Sequence, residues 1–170
     1  ASTSNLDPEA IRKTVEAACN IARYTSEDPC TGLADADLMA NEFHDLDLYH
    51  PWDIQPQAVI DLALECENAA LDYDARIVNS EGASVDLNSG LSIYGNSHGF
   101  LQAERKTRHG ISCAVVAESN GNMQRDYWYD VSRNPDRLAS ARSIGIKAAE
   151  RTLRRLDARK LKTQQAPVLF

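Results

Sequence analysis

The sequence predicts an α+β fold, with a curved antiparallel sheet over residues 76–131 flanked by helices near 8–24, 56–74 and 136–157. Two observations carry this. Apolar residues recur at helical spacing in three separated stretches. Between Arg76 and Val131 the period changes to two, and Gly, Asn and Ser punctuate short runs. Helices segregated from an antiparallel sheet leave few other layered solutions.

The first helix has a complete start signal. Asp7 is an N-cap residue, Pro8 fits the first helical position and Glu9 complements the dipole. Ile11, Val15, Ala18 and Ala22 then form one stripe. Residues 27–53 differ: eight acids (Glu27, Asp28, Asp35, Asp37, Glu42, Asp45, Asp47, Asp53) occur there without a Lys or Arg. A calcium loop would need a central Gly and a distal Glu, and that pattern is missing. The stretch reads as an acidic, solvated connection pinned by Leu46, Leu48, Tyr49 and Trp52, wrapping an edge of the fold.

The second helix opens near Pro56 with Val59, Ala63, Cys66 and Ala70 on one line and Ile60, Leu64 and Leu71 beside it, which predicts burial on a broad face. The sheet region reads as at least four strands, including 91–95, 100–104, 111–118 and 123–131. In the last hairpin, Ile111, Cys113, Val115 and Ala117 share one face, as do Met123, Tyr127, Tyr129 and Val131. Those faces coincide only if Ser119 pairs with Met123 around a three-residue loop, placing Cys113 opposite Tyr129 and Val115 opposite Tyr127. Asp126 and Asp130 then fall with Trp128 on the wetter face.

The third helix follows Asn134-Pro135-Asp136, with Leu138, Ala141, Gly145, Ala148, Ala149, Thr152 and Leu156 inward. Arg142, Lys147, Arg151, Arg154 and Arg155 decorate the rest and read as a solvated face. The chain begins at Ala1 and ends on Ala166-Pro167-Val168-Leu169-Phe170, a truncated strand 166–170. Residues 1–170 are therefore expected to form a single domain, an internal piece of a longer protein.

Composition narrows function. The net charge of −7 argues against general nucleic-acid binding, which needs a basic surface. No apolar run reaches the ~18 residues of a membrane span, so no membrane partner is expected. Cys19, Cys66 and Cys113 lie in apolar patterns and read as buried free thiols in a reducing cytoplasm; Cys30 stands apart. His44, His50, His98 and His109 lack metal-ligand spacing and read as surface or capping groups.

Two catalytic or binding alternatives are open to the sequence. Gly95-Asn96-Ser97-His98-Gly99 is a literal G-x-S-x-G, which in a serine hydrolase would expose Ser97 as nucleophile. Only His109 follows it, with no acid suitably placed between, and both glycines suit a turn between strands. The basic face of the third helix would serve duplex DNA, yet no aromatic platform is interleaved with it. The sequence therefore assigns no catalytic, cofactor-binding or metal residue.

Longer strings carry a resemblance. ARYTSEDPC (22–30), DLDLYHP (45–51), IVNSEGAS (77–84), YGNSHG (94–99), ERTLRRLDARKL (150–161) and APVLF (166–170) resemble, in order and across the chain, the PmbA (TldE) branch of the TldD/PmbA peptidase family. The family also bears the label modulator of DNA gyrase, so the resemblance implies, as an alternative, a DNA-associated modulator of gyrase. The resemblance implies a cytoplasmic bacterial protein that pairs with a TldD-like subunit. Zinc is expected in that partner, on its H-E-x-x-x-H helix, and none in this chain. It further implies a metalloprotease complex that acts on unfolded peptides, linked to microcin maturation and antitoxin turnover. No family catalytic residue maps onto a position of this sequence.

Overall fold

The structure, a computed structural model, describes residues 1–160 and 162–168. Backbone contacts divide the chain into two compact units, Ala1–Asn41 and Glu42–Phe170. The first holds helix α1, Pro8–Tyr24, and a single 3₁₀ turn at Ala36–Leu38. The Asp7 carboxylate accepts the Glu9 amide at 2.9 Å, so the cap read from the sequence starts the helix. None of the α1 residues is buried, and Cys19 is exposed, which corrects its expected burial.

The second unit is helix α2 (Pro56–Leu71), strands β1 (Ile77–Gly95), β2 (Leu101–Ser119) and β3 (Asn122–Ser132), and helix α3 (Ala141–Leu153). The strands form one antiparallel sheet in the order β1-β2-β3. The α+β class is as expected, whereas the strands are fewer and longer. Residues 91–95 and 100–104 are the end of β1 and the start of β2, two arms of one hairpin. The alternation is broken there by polar residues with no core to face, which reads in sequence as separate short strands.

The core lies where α2 and α3 cover one face of the sheet. Cys66 and Ala70 of α2, Ile77 of β1, Ile111, Cys113, Val115 and Ala117 of β2, and Ala141, Ile144, Ala148 and Ala149 of α3 are all buried. The helix contact is built on small residues, so the backbones approach closely. A Cβ on Gly145 would stand 2.0 Å from the carbonyl oxygen of Cys66. This narrows the buried face of α2: Ile60 and Leu64, expected to be inward, are exposed.

Two further boundaries differ. Helix α3 begins at Ala141 rather than 136, because Pro135–Arg137 closes a 3₁₀ turn capped by Asn134, and Asp130 then takes the Ala139 amide at 2.8 Å. Ser140 supplies the cap of α3 proper. Residues 166–168 carry no strand, while Leu169 and Phe170 of the expected strand lie outside the described residues.

The last hairpin corrects the expected register. Ser119 pairs with Asn122, so Asn120 and Gly121 alone make the turn, with φ of 51° and 78°. Both lie in the left-handed region that a type I′ turn requires and that Asn-Gly supplies. Cys113 is opposite Trp128, and Ala114 opposite Tyr127. The face of β3 against the helices is therefore Asp126 and Trp128, while Tyr127 and Tyr129 point to the exposed side, at 48% and 52% exposure.

Candidate functional site

The G-x-S-x-G turn joins β1 to β2. The Asn96 amide donates to the Phe100 carbonyl at 3.0 Å, the Asn96 side chain accepts the His98 amide, and Gly99 has φ of +83°. This is a β-hairpin turn, with no helix after Ser97, so the strand-to-helix elbow of a hydrolase is not formed. His109 lies eight register positions down β2 from the Gly95–Leu101 pair that closes the turn, buried and bonded elsewhere.

The four histidines do not converge. His98 is exposed in the turn, and His50 faces Asp47 at 3.1 Å. His109, expected near the surface, is 2% exposed: its Nε2 meets the His50 carbonyl at 2.9 Å and its ring packs edge-on against Trp52 at 5.5 Å. Among the described residues no three His, Cys, Asp or Glu side chains gather as a metal-binding cluster. The described residues therefore do not by themselves bring together the three fixed ligands that a catalytic zinc needs beside its open position.

Two clusters do meet, one buried and one at the rim of the core. The thiols of Cys66 and Cys113 face each other across the α2–β2 contact, and bonding to Cys113 together with burial pushes the Cys66 thiol up. Such a thiol stays protonated and unreactive. On the same inner face, Asp126 lies 3.3 Å from Arg151 and 3.7 Å from Arg155, with the Arg151 guanidinium over the Trp128 ring at 5.1 Å. Two of the arginines read as a solvated face are therefore tied to the sheet. The corrected register is what brings Asp126 to them.

The remaining feature is the projecting end of the β1–β2 hairpin. Strand β3 ends opposite His109, so β2 runs on alone from Arg108 back to Leu101, paired only with β1. Leu91, Ile93, Tyr94 and Leu101 there are more than half exposed. The acidic segment does wrap this edge, but through its main chain. Thr107 donates its amide to the Leu48 carbonyl at 2.9 Å, and its hydroxyl accepts the His50 amide at 2.9 Å. Of the expected apolar pins, Leu48 and Trp52 are half-buried, while Leu46 and Tyr49 are exposed.

Between its anchors the segment stands off from β2 and leaves a groove of about 590 Å³ lined by residues 42–49 and 102–105. Phe43 meets Phe100 edge-on at 5.3 Å at one end, and Arg105 sits over the Tyr49 ring at 5.9 Å near the other. No single sequence motif marks this groove. Its traces are the acids without counter-cations and the aromatics at 43, 49 and 100.

Comparison with known proteins places this geometry. Residues 49–156 match the family model described as the PmbA/TldA metallopeptidase central domain. Over 170 residues the chain is 49% identical to the Metalloprotease PmbA of Escherichia coli O157:H7, covering 100% of this chain and 38% of that protein. It is 47% identical to the Metalloprotease PmbA homolog of Haemophilus influenzae, again covering 38% of that protein. The chain thus spans well under half the length of these relatives. Among solved structures, a Thermotoga maritima protein described as a candidate modulator of a DNA gyrase superimposes with a TM-score of 0.70 at 18% identity, covering 94% of this chain and 35% of that one. TldE from Thermococcus kodakarensis gives 0.63 at 14% identity, covering 89% and 34%. Both share the fold. No described helix is long and apolar enough to cross a membrane.

Proposed function

Since this chain belongs to the PmbA/TldD metallopeptidase family, whose central-domain model its residues 49–156 match, we propose that it is the structural and partner-binding segment of a PmbA-type, metal-lacking subunit. In this reading a TldD-like partner supplies the zinc, and the complex cleaves unfolded peptides in the cytoplasm, with roles in microcin maturation and antitoxin turnover. The observation that carries the reading is the projecting hairpin. A strand pair with Leu91, Ile93 and Leu101 at 58%, 65% and 71% exposure, on a chain of this family, is a surface built to be covered.

The residues of this chain contribute by position rather than by chemistry. Asp126, Arg151, Arg155 and Trp128 lock α3 to the sheet, and Thr107 and His109 fix the acidic segment against β2. These contacts fix the base of the hairpin, and Phe43 meets Phe100 at its tip.

The test is purification of the full-length protein from its own cytoplasm. A TldD-like chain should co-purify, and an unfolded peptide should be cleaved by the pair but not by this protein alone. Cleavage by the purified protein alone, lost on Ser97→Ala, would replace this reading with the hydrolase one. Recovery of the protein with duplex DNA, released by salt, would replace it with DNA association.

A further inference from the structure

We propose that the groove between the free edge of β2 at Leu101–Arg105 and the segment Glu42–Tyr49 is a docking slot for an extended, positively charged peptide, which enters as an added β-strand. The choice of a peptide rests on the peptidase reading above and deepens it.

The first support is main-chain geometry. In a hairpin closed by two residues, Ser119 and Asn122 are a hydrogen-bonded pair, so odd-numbered residues of β2 aim both main-chain groups at β3. Thr107 keeps this parity beyond the end of β3, because its amide reaches the Leu48 carbonyl on that same side. Ala103 and Arg105 must therefore aim their amide and carbonyl groups into the groove. Among the described residues no main-chain partner meets them there. Even-numbered residues serve β1 instead: Phe100 already gives its carbonyl to Asn96 across the turn.

The second support is the way the segment is held. It touches the hairpin at two places, Phe43 on Phe100 and Leu48–Tyr49 on Arg105 and Thr107. Between them it bows away and leaves the open edge facing the 590 Å³ groove. An unpaired edge normally invites pairing with another strand. Here a wall on the far side restricts entry to something narrow and extended, the mode by which strand addition recognises peptides.

The third support is charge. Glu42, Asp45, Asp47 and Glu104 line the groove with Arg105, whose guanidinium is engaged over Tyr49. Glu104 has Lys106 at 3.9 Å and Asp47 has His50 at 3.1 Å, while Glu42 and Asp45 have no such partner among the described residues. This favours lysine or arginine side chains on the incoming strand, with apolar ones packed on Phe43 and Leu46.

The experiment uses the full-length protein without its partner and a fluorescein-labelled peptide of alternating valine and lysine, followed by anisotropy. Binding should saturate, weaken at least about tenfold when the alternate peptide amides are N-methylated, and weaken as much in Ala103→Pro. Proline at this position removes only the outward amide and leaves the β1 ladder intact. The double variant Glu42→Lys, Asp45→Lys should reverse the preference toward a valine–glutamate peptide. Equal affinity for the N-methylated peptide, or none for either, overturns the slot. Self-association lost in Ala103→Pro, without peptide binding, would also overturn it, since a second copy would then fill the edge. Cleavage is measured separately with the partner present. Slot binding without cleavage sinks the peptidase reading and keeps the slot, while cleavage with no loss of affinity in Ala103→Pro does the reverse.

Discussion

Gly145 shows how one residue decides the distance between two helices. Its carbon-free face lets α3 settle on the Cys66 carbonyl, where an added Cβ would meet oxygen at 2.0 Å and carbonyl carbon at 3.0 Å. Both neighbours are backbone, so no side-chain rotation relieves the clash. Two effects oppose each other in Gly145→Ala. Alanine gains about 1 kcal/mol of helix propensity, whereas overpacking a rigid contact costs about 3 kcal/mol. The variant should therefore be destabilised by about 2 kcal/mol in chemical denaturation, and a gain in stability would show that the helices are not in contact there. The sequence placed Gly145 on the inner stripe, and its role follows from that stripe meeting an equally small one, Cys66, Ala69 and Ala70. Asp126 was not legible in the same way. A carboxylate beside an aromatic on a strand reads as a wet face, and only a one-residue change of register turns it toward Arg151 and Arg155.

That register is decided within one hairpin. Matching apolar faces across the last hairpin favoured a three-residue loop, because Tyr127 and Tyr129 outweigh Asp126 in hydrophobicity. The backbone favours Asn120-Gly121, both at positive φ, and the inner face tolerates Asp126 because two guanidiniums and the Trp128 ring surround it. Local turn chemistry thus outweighed patterning once the facing helix offered charge partners. Proton NMR distinguishes the two registers directly. Non-hydrogen-bonded pairs bring opposed α-carbons to about 4.5 Å, so strong Hα–Hα contacts are expected between Ser112 and Tyr129 and between Ala114 and Tyr127. Contacts from Cys113 to Tyr129 would restore the slipped register. Helix α1 was read correctly to both ends, since its cap and stripe are wholly local signals. The start of α3 was not, because it depends on Asp130 of another element taking the Ala139 amide.

At the scale of the whole molecule, the sequence made the fold class and family legible, whereas the groove beside β2 was legible only as an acidic run. Its form depends on β3 being shorter than its neighbours, a fact of pairing that no local pattern carries. The same scale governs metal. A family of metallopeptidases raises the expectation of zinc, and four histidines and four cysteines are enough donors by count. Their placement is what matters. His109 is fixed on the His50 carbonyl, His50 is turned to Asp47, His98 sits alone in a turn, and Cys66 and Cys113 are sealed in the core with the Cys66 thiol pushed up. Bringing three of these five to one ion would require unfolding the β2 ladder or opening the α2–β2 contact, and among the described residues the exposed His44, Cys19 and Cys30 belong to no cluster of three donors. The chain is therefore expected to carry well under one zinc per molecule by elemental analysis after dialysis. Its thermal midpoint should be unchanged by a chelator, the result expected of a chain that draws no folding energy from a metal. One zinc per chain, with a midpoint that falls on chelation, would mean that the histidines converge in a conformation different from the one described, and the scaffold reading would fall with it.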